Sequence, residues 1–270
     1  NEYIELFERY NASVGVSLDG IPETNDKYRV FHSGKGSGKK VENKLRILKK
    51  SKTFGGILSV IDLESSPIET WRYLASFDPP VVDFLLPHAH WENTTEEERS
   101  EKIPKYGDWL IEIFDDWFDG YRQDIRIRFF EEILYRVFGQ PGTLESLGLE
   151  EISLITVASN GDYEQVDTMK SVFPGAHTTS LNVWSHTLDD VLIHNSILAR
   201  QSGMTGLCDT CKRCEIVNIC GGGYYPHRYS DKNSYSNPSV YCNSLMNLIE
   251  HIQNRVTSML NKELQSSYVD

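Results

Sequence analysis

Apolar and polar positions alternate along the first hundred residues with two different periods. Tyr3, Ile4 and Phe7 share one helical face while Glu2, Glu5 and Glu8 lie elsewhere, which predicts an amphipathic helix over residues 2–10 that Asn11 stops. Val14-Gly15-Val16-Ser17-Leu18 reads as a short buried strand ending in Asp19-Gly20, and Pro22 with the Gly/Ser-rich stretch at 33–38 reads as a loop. Val41, Leu45 and Leu48 then take helical spacing. Ile57-Leu58-Ser59-Val60-Ile61 follows as a strand, the region of Trp71 and Leu74 as a helix, and Val81-Val82-Asp83-Phe84-Leu85-Leu86 as a strand. The order is β-α-β-α-β. Near-continuous apolar strands between amphipathic helices predict a parallel sheet covered on both faces, with right-handed crossovers.

Beyond it, residues 94–105 are charged and loop-like, with a helix start at Thr94-Thr95-Glu96-Glu97-Glu98. Trp109, Leu110, Ile113, Phe114 and Trp117 predict a helix that Gly120 ends, and a second helix runs from Phe129 to Phe138. Aromatic side chains at this spacing, interleaved with acids, read as packing rather than as a nucleic-acid stacking surface. Residues 139–149, with Pro141, join two units. The second opens with the run Ile152 to Val157, a turn at Asn160-Gly161-Asp162 and the run Tyr163 to Val166, a strong hairpin pattern. It closes with Leu245, Leu248, Ile249, Ile252, Val256, Met259 and Leu260 on one face of a long helix, and the tail 263–270 is polar.

Polar side chains collect just past the predicted strands: Ser17 and Asp19, Asp62 and Glu64, His88 and His90. The carboxyl edge of a parallel sheet is where ligands bind; any one of these residues alone reads better as a helix cap, and it is the recurrence at three strand ends that supports a functional reading. His88 and His90 beside Trp91 read as loop packing rather than as a metal pair. The formal net charge of -12 on the 270-residue chain argues against a default affinity for nucleic-acid phosphates or anionic membrane, while leaving a local basic groove open. The absence of a long apolar run and of a signal peptide points to the cytoplasm. The chain starts at Asn1 inside a helical pattern, which reads as a fragment of a longer protein.

All five cysteines fall between Cys208 and Cys242. In a reducing compartment such clustering favours metal ligation over disulfides. Cys211 and Cys214 are two residues apart, Cys214 and Cys220 five, and Cys242 follows after a longer gap. Two thiolates from one turn reach neighbouring metal positions, and a distant one closes the site. Four thiolates complete either a 4Fe-4S cube or a tetrahedral zinc, and spacing does not separate the two. Gly221-Gly222-Gly223 lets backbone approach such a centre. Cys208 is either an alternative ligand or a free thiol.

The run Cys211-x2-Cys214-x5-Cys220-Gly-Gly-Gly with the distant Cys242 resembles the SPASM auxiliary-cluster domain of radical SAM enzymes. Val16-Ser17-Leu18-Asp19-Gly20, with Arg29 downstream, looks like the fourth barrel strand of that superfamily. Leu85-Leu86-Pro87-His88-Ala89-His90-Trp91, the Asn160-Gly161-Asp162 hairpin, His227-Arg228-Tyr229 and Asn237-Pro238-Ser239-Val240-Tyr241-Cys242 resemble the FxsB-type branch of peptide maturases. The resemblance implies reductive cleavage of S-adenosyl-L-methionine at a 4Fe-4S cluster. It also implies hydrogen abstraction from a ribosomally synthesised precursor peptide and a cyclophane-type cross-link to an aromatic side chain. Ser17 and Arg29 match positions that contact S-adenosyl-L-methionine, and Cys211, Cys214, Cys220 and Cys242 match four cluster ligands; no catalytic residue is assigned.

Two departures qualify this likeness. Tyr224 stands where the full SPASM pattern has a further cysteine, and no cysteine lies near the 152–166 hairpin, so one auxiliary cluster is expected. The Cys-x3-Cys-x2-Cys motif of the S-adenosyl-L-methionine cluster is absent, and that second cluster is expected upstream. The expected α/β fold is the second half of a partial (βα)6 barrel over residues 1–100, a helical connector over 101–149, a SPASM-like domain of hairpin character over 150–246, and a C-terminal helix and tail over 247–270. Three strands leave a barrel edge open, so such a fragment is expected to lack activity alone. The competing expectation is a non-catalytic protein, stabilised by zinc or an iron-sulfur centre, that binds a peptide or partner.

Overall fold

The computed structural model describes residues 2–151 and 154–267. They divide into two compact units, one running up to Pro87 and including Asp108–Glu131, the other comprising His88–Gly107 and everything from Glu132 onward.

In the first unit, α1 (Glu2–Arg9) leads into β1 (Val14–Ser17), a helical turn α2 (Pro22–Asn25), α3 (Gly38–Leu48), β2 (Phe54–Val60), α4 (Pro67–Ala75) and β3 (Val81–Leu85). Helix α5 (Lys105–Phe118), β4 (Arg126–Ile127) and α6 (Arg128–Val137) complete it, the last two helices running on into residues of the second unit. The sheet is parallel in the order β1-β2-β3-β4. It therefore has one strand more than the sequence pattern predicts. Strand β4 is two residues long and runs directly into α6, so no apolar run announces it. Pro22, expected in a loop, instead opens α2, where its fixed φ suits a first helical position.

The register sets which side chains share a face. Val16, Ile57, Val82 and Ile127 stand side by side, and Ser59 and Phe84 share their face two positions on. Ile57, Ser59, Val82, Phe84 and Ile127 are all buried. Phe84 meets Trp109 edge-on, with ring centroids 5.4 Å apart, and the Trp109 indole N–H donates to the Ser65 carbonyl at 3.1 Å. The opposite face presents the row Ser17, Leu58 and Asp83. There Gly15 and Ser17 are exposed and Leu58, Val60 and Leu85 half-buried. The sheet is thus fully covered on one face only, where the sequence pattern predicts two. Gly56 is fixed by backbone, since at φ +138 an added Cβ would lie 2.5 Å from the Val81 carbonyl oxygen.

The second unit contains an antiparallel sheet of β5 (Thr156–Val157), β6 (Asp162–Glu164) and β7 (Thr178–Asn182). The predicted hairpin is present, although Ile152 and Ser153 of its first run lie outside the described residues. Strand β7 is unannounced because only Thr179 of its five residues is fully buried. Tyr163 packs with Val191 of α7 (Leu188–Leu192) and Ile197 of α8 (Asn195–Arg200). Thr187 and Asp190 start α7 with a reciprocal capping box. Two short helices, α9 (Asp209–Lys212) and α10 (Val217–Cys220), precede α11 (Cys242–Ser267). Leu245, Leu248, Ile249, Ile252 and Val256 of α11 are buried at three- and four-residue spacing as the sequence pattern predicts, whereas Met259 and Leu260 of the predicted stripe are exposed. No helix among the described residues is long and apolar enough to cross a membrane.

Candidate metal centre

Cys208 occupies the cap position before α9, Cys211 lies within that helix, and Cys214 follows its end. Cys220 is the last residue of α10, after which Gly221 turns left-handed at φ 60, ψ 18 and returns its N–H to the Val217 carbonyl. An added Cβ at Gly221 would lie 1.7 Å from the Gly148 carbonyl oxygen, so only glycine permits this approach. Cys242 opens α11, its N–H donating to the Ser239 carbonyl at 3.0 Å. These turns bring Cys211, Cys214, Cys220 and Cys242 onto one cavity of about 60 Å³, walled by Ile216, Val217 and Met246. Cys208 packs beside Cys211 but is not among the residues lining that cavity.

Burial and mutual repulsion favour the neutral form of the thiols on this cavity. Burial pushes the Cys211 thiol up to about 12, helped by a hydrogen bond with Cys208. Burial and the neighbouring Cys242 push Cys220 up to about 11, and Cys242 itself is raised by burial and by Cys214. Four thiolates in such surroundings repel one another, and a bound metal centre reverses the balance by making the thiolate the favoured form. The donor set therefore fits a four-thiolate centre. Among the described residues no three His, Cys, Asp or Glu side chains converge as the ligands of a single ion would.

Arg228 lies behind the glycine loop. Its Nε donates to the Gly223 carbonyl at 3.1 Å, and Nη2 donates to Gly221 at 2.8 Å and Gly223 at 2.6 Å. Burial works against its charge, whereas charge at Cys211 and Cys220 favours it. The other arginines enclosed in this unit have carboxylate partners: Arg200 pairs with Glu145, and Arg136 with Glu132 and Glu150. No such ion pair reaches Arg228 among the described residues.

Tyr224, at the place of the missing cysteine, shares a hydrogen bond with the Thr168 hydroxyl and meets His227 edge-on at 5.3 Å. The segment after the hairpin supplies Val166, Met169, Val172 and Ala176 as an apolar cluster beneath Tyr225, Tyr229 and Tyr235. His227 is buried against Tyr241 as well, its Nε2 lacks a partner, and burial lowers it to about 3. His90 is buried edge-on to Tyr229, with Nδ1 accepting from the Glu92 N–H at 3.2 Å, in keeping with a packing role.

In the first unit, Ser17 is exposed at the carboxyl end of β1. Arg29 reaches that edge through Asp19, which also accepts from the Val60 N–H at 2.9 Å. The buried Asn25 side chain holds the Asp19 N–H at 3.3 Å and donates to Ser37 at 3.2 Å, which fixes the loop beneath Arg29. Asp62 and Glu64 both take Lys27 at 2.8 Å, and Asp62 accepts from the Glu64 N–H in the loop before α4, whose cap is Ser66 rather than either acid. Asp83, unremarked within its strand, is buried on the open face and paired with Arg128; burial raises its pKa and Arg128 opposes that rise. His88 and His90, grouped with these strand ends by sequence, belong to the second unit.

No family model matches the chain. It is 24% identical over 271 residues to the cysteine-type anaerobic sulfatase-maturating enzyme of Clostridium novyi, covering 95% of this chain and 69% of that protein. It is 26% identical over 252 residues to the serine-type anaerobic sulfatase-maturating enzyme of Bacteroides thetaiotaomicron, covering 85% of this chain and 59% of that protein. Among solved structures, native anSMEcpe with bound AdoMet superimposes with a TM-score of 0.81 at 21% identity, over 96% of this chain and 71% of that one. Native anSMEcpe with bound AdoMet and Kp18Cys peptide gives a TM-score of 0.80 over 97% of this chain and 72% of that one. The chain therefore has the α/β fold of these structures.

Proposed function

We propose that this chain belongs to a radical SAM enzyme that modifies a residue of a peptide or protein, and that it supplies part of the barrel together with an auxiliary-cluster domain. The observation that supports this most is the gathering of Cys211, Cys214, Cys220 and Cys242 on one cavity in a fold shared with an AdoMet-binding structure. These thiolates would hold one 4Fe-4S cluster. Ser17, exposed at the strand end, and Arg29, steadied by Asp19, would face the amino-acid end of S-adenosyl-L-methionine. When bound at its own cluster, S-adenosyl-L-methionine supplies the radical that abstracts hydrogen. Tyr224 and the apolar cluster after the hairpin favour one auxiliary cluster over two.

The finer reading is the FxsB-type reaction on a ribosomally synthesised precursor peptide in the cytoplasm, joining a carbon to an aromatic ring. The sequence motifs around His88, Arg228 and Asn237 support it. The relatives named above act on sulfatases and favour a second reading, in which one residue of a protein is matured without a cross-link.

Anaerobic reconstitution followed by iron, sulfide and zinc analysis tests the cluster. Four irons with matching sulfide are expected, whereas stoichiometric zinc without sulfide would overturn the enzyme reading in favour of a metal-stabilised binding protein. With the complete reading frame, S-adenosyl-L-methionine and reductant, a precursor peptide encoded beside the gene should yield 5'-deoxyadenosine and lose two hydrogens on cross-linking. A modified sulfatase peptide with no cross-linked product would favour the second reading.

A further inference from the structure

We propose that Arg228 tunes the reduction potential of the auxiliary centre by holding, behind the glycine loop, a positive charge that no carboxylate among the described residues pairs directly. The inference rests on the four-thiolate cluster proposed above and concerns what the protein does to it. Gly222 connects the two: it lines the thiol cavity, and an ideal Cβ built on it would lie 3.2 Å from the Arg228 Cζ. The guanidinium is thus one residue's thickness from the cavity.

Its hydrogen bonds go to neutral acceptors. The Gly221 and Gly223 carbonyls orient the guanidinium without cancelling its charge. Glu145 and Glu150 line a cavity together with Arg228 but are taken by Arg200 and Arg136, so among the described residues Arg228 is an enclosed guanidinium that no carboxylate pairs directly. The Tyr225 ring, 5.8 Å from its Cζ, closes one side without adding a full negative charge. A centre of four thiolates becomes more negative by one charge on reduction. A fixed cation at short range in a poorly solvated site stabilises the reduced form more than the oxidised form, and potentials of thiolate-bound clusters respond to net charge and solvent exposure in this way. Arg228 is accordingly a positioning and electrostatic residue rather than a catalytic one. It fixes the left-handed loop after Cys220 and biases the electron affinity of what that loop encloses.

The test compares wild type with Arg228→Lys and Arg228→Gln, each reconstituted anaerobically in the full chain. Iron and sulfide are counted first, and the cluster is then titrated potentiometrically by electron paramagnetic resonance. Wild type without iron and sulfide would remove the cluster reading and this proposal together. With loaded protein, Arg228→Gln should lower the reduced-to-oxidised ratio at a fixed poise by about tenfold, which is about 59 mV for a one-electron couple. Arg228→Lys, which keeps the charge but loses the fork, should stay close to wild type. Unchanged potentials in both variants would overturn the proposal and leave the cluster reading intact. If Arg228→Gln fails to load while Arg228→Lys loads with a near-wild-type potential, charge is the requirement and the proposal stands. If neither loads, the guanidinium fork is only a prop for the loop, and the proposal fails.

Discussion

Asp19 holds Arg29 by both carboxylate oxygens, Nε donating to one at 2.5 Å and Nη2 to the other at 3.0 Å. The same carboxylate accepts the Val60 N–H, so it ties a loop to the ends of two strands. Asp19→Ala strands the Val60 donor and releases Arg29. Because the Arg29 side chain is 34% exposed, solvent recovers part of the loss, and the expected cost is about 1–3 kcal/mol in urea unfolding. Asp19→Asn, which keeps an acceptor for Val60, should cost less. In the proposed reading both weaken S-adenosyl-L-methionine binding, measured by equilibrium dialysis.

The five thiols should separate into two classes. Cys211→Ser, Cys214→Ser, Cys220→Ser and Cys242→Ser each remove a thiol lining the common cavity and should lose bound iron after anaerobic reconstitution. Cys208→Ser should retain it. Iron loss from Cys208→Ser equal to that from Cys220→Ser would show that the wrong four thiols are assigned.

Tyr224→Cys restores the cysteine of the fuller pattern and should not add a second cluster. The hairpin side offers Val166 and Met169 in an apolar cluster, with no thiol to complete another site among the described residues. Iron per chain should stay at the wild-type value, and a doubling of iron and sulfide would refute the single-cluster assignment.

His227 predicts a pH dependence. Its folded-state pKa is lowered to about 3 by burial, whereas the unfolded chain titrates near 6.5. Between these values the unfolded state binds a proton that the folded state refuses, so stability is present above pH 6.5 and is lost as pH falls towards 3. The limiting slope is about 1.4 kcal/mol per pH unit. His227→Phe, which also removes the unpartnered Nε2, should flatten the urea midpoint between pH 7 and pH 5. An equally steep profile in the variant would assign the effect to other groups.

Gly221→Ala places a Cβ against the Gly148 carbonyl in a left-handed conformation. Strain and displaced backbone together should cost more than about 3 kcal/mol, visible as a lowered melting temperature, whereas Gly120→Ala, with open space around its Cβ position, should cost only its positive φ.

Much of this was legible in the chain. The order β1-α3-β2-α4-β3 and the buried face of α11 follow from periodicities that a core enforces. Asn160-Gly161 names its own turn, since Gly161 takes φ +86 there. What escaped was structure with no apolar signature. Strand β4 has two residues, and β7 reads Thr-Thr-Ser-Leu-Asn with one buried position. The open sheet face was also hidden, because Gly15 and Ser17 read as parts of an apolar strand and show their exposure only in register. Within the candidate centre, the cysteines were legible from spacing. Arg228 was not, since its meaning lies in which neighbours do and do not cancel its charge.

Cys242 is the first residue of a 26-residue helix, which at an ideal rise is about 39 Å long. The opening turn of a helix is its electropositive end and its least secured one, so in the proposed reading a Cys242 thiolate bound to the centre would secure the turn from which the buried stripe Leu245 to Val256 departs. Losing the metal would free that turn first and expose apolar surface along the rod. In that reading, limited digestion of metal-stripped protein should open α11 from its beginning rather than from its tail.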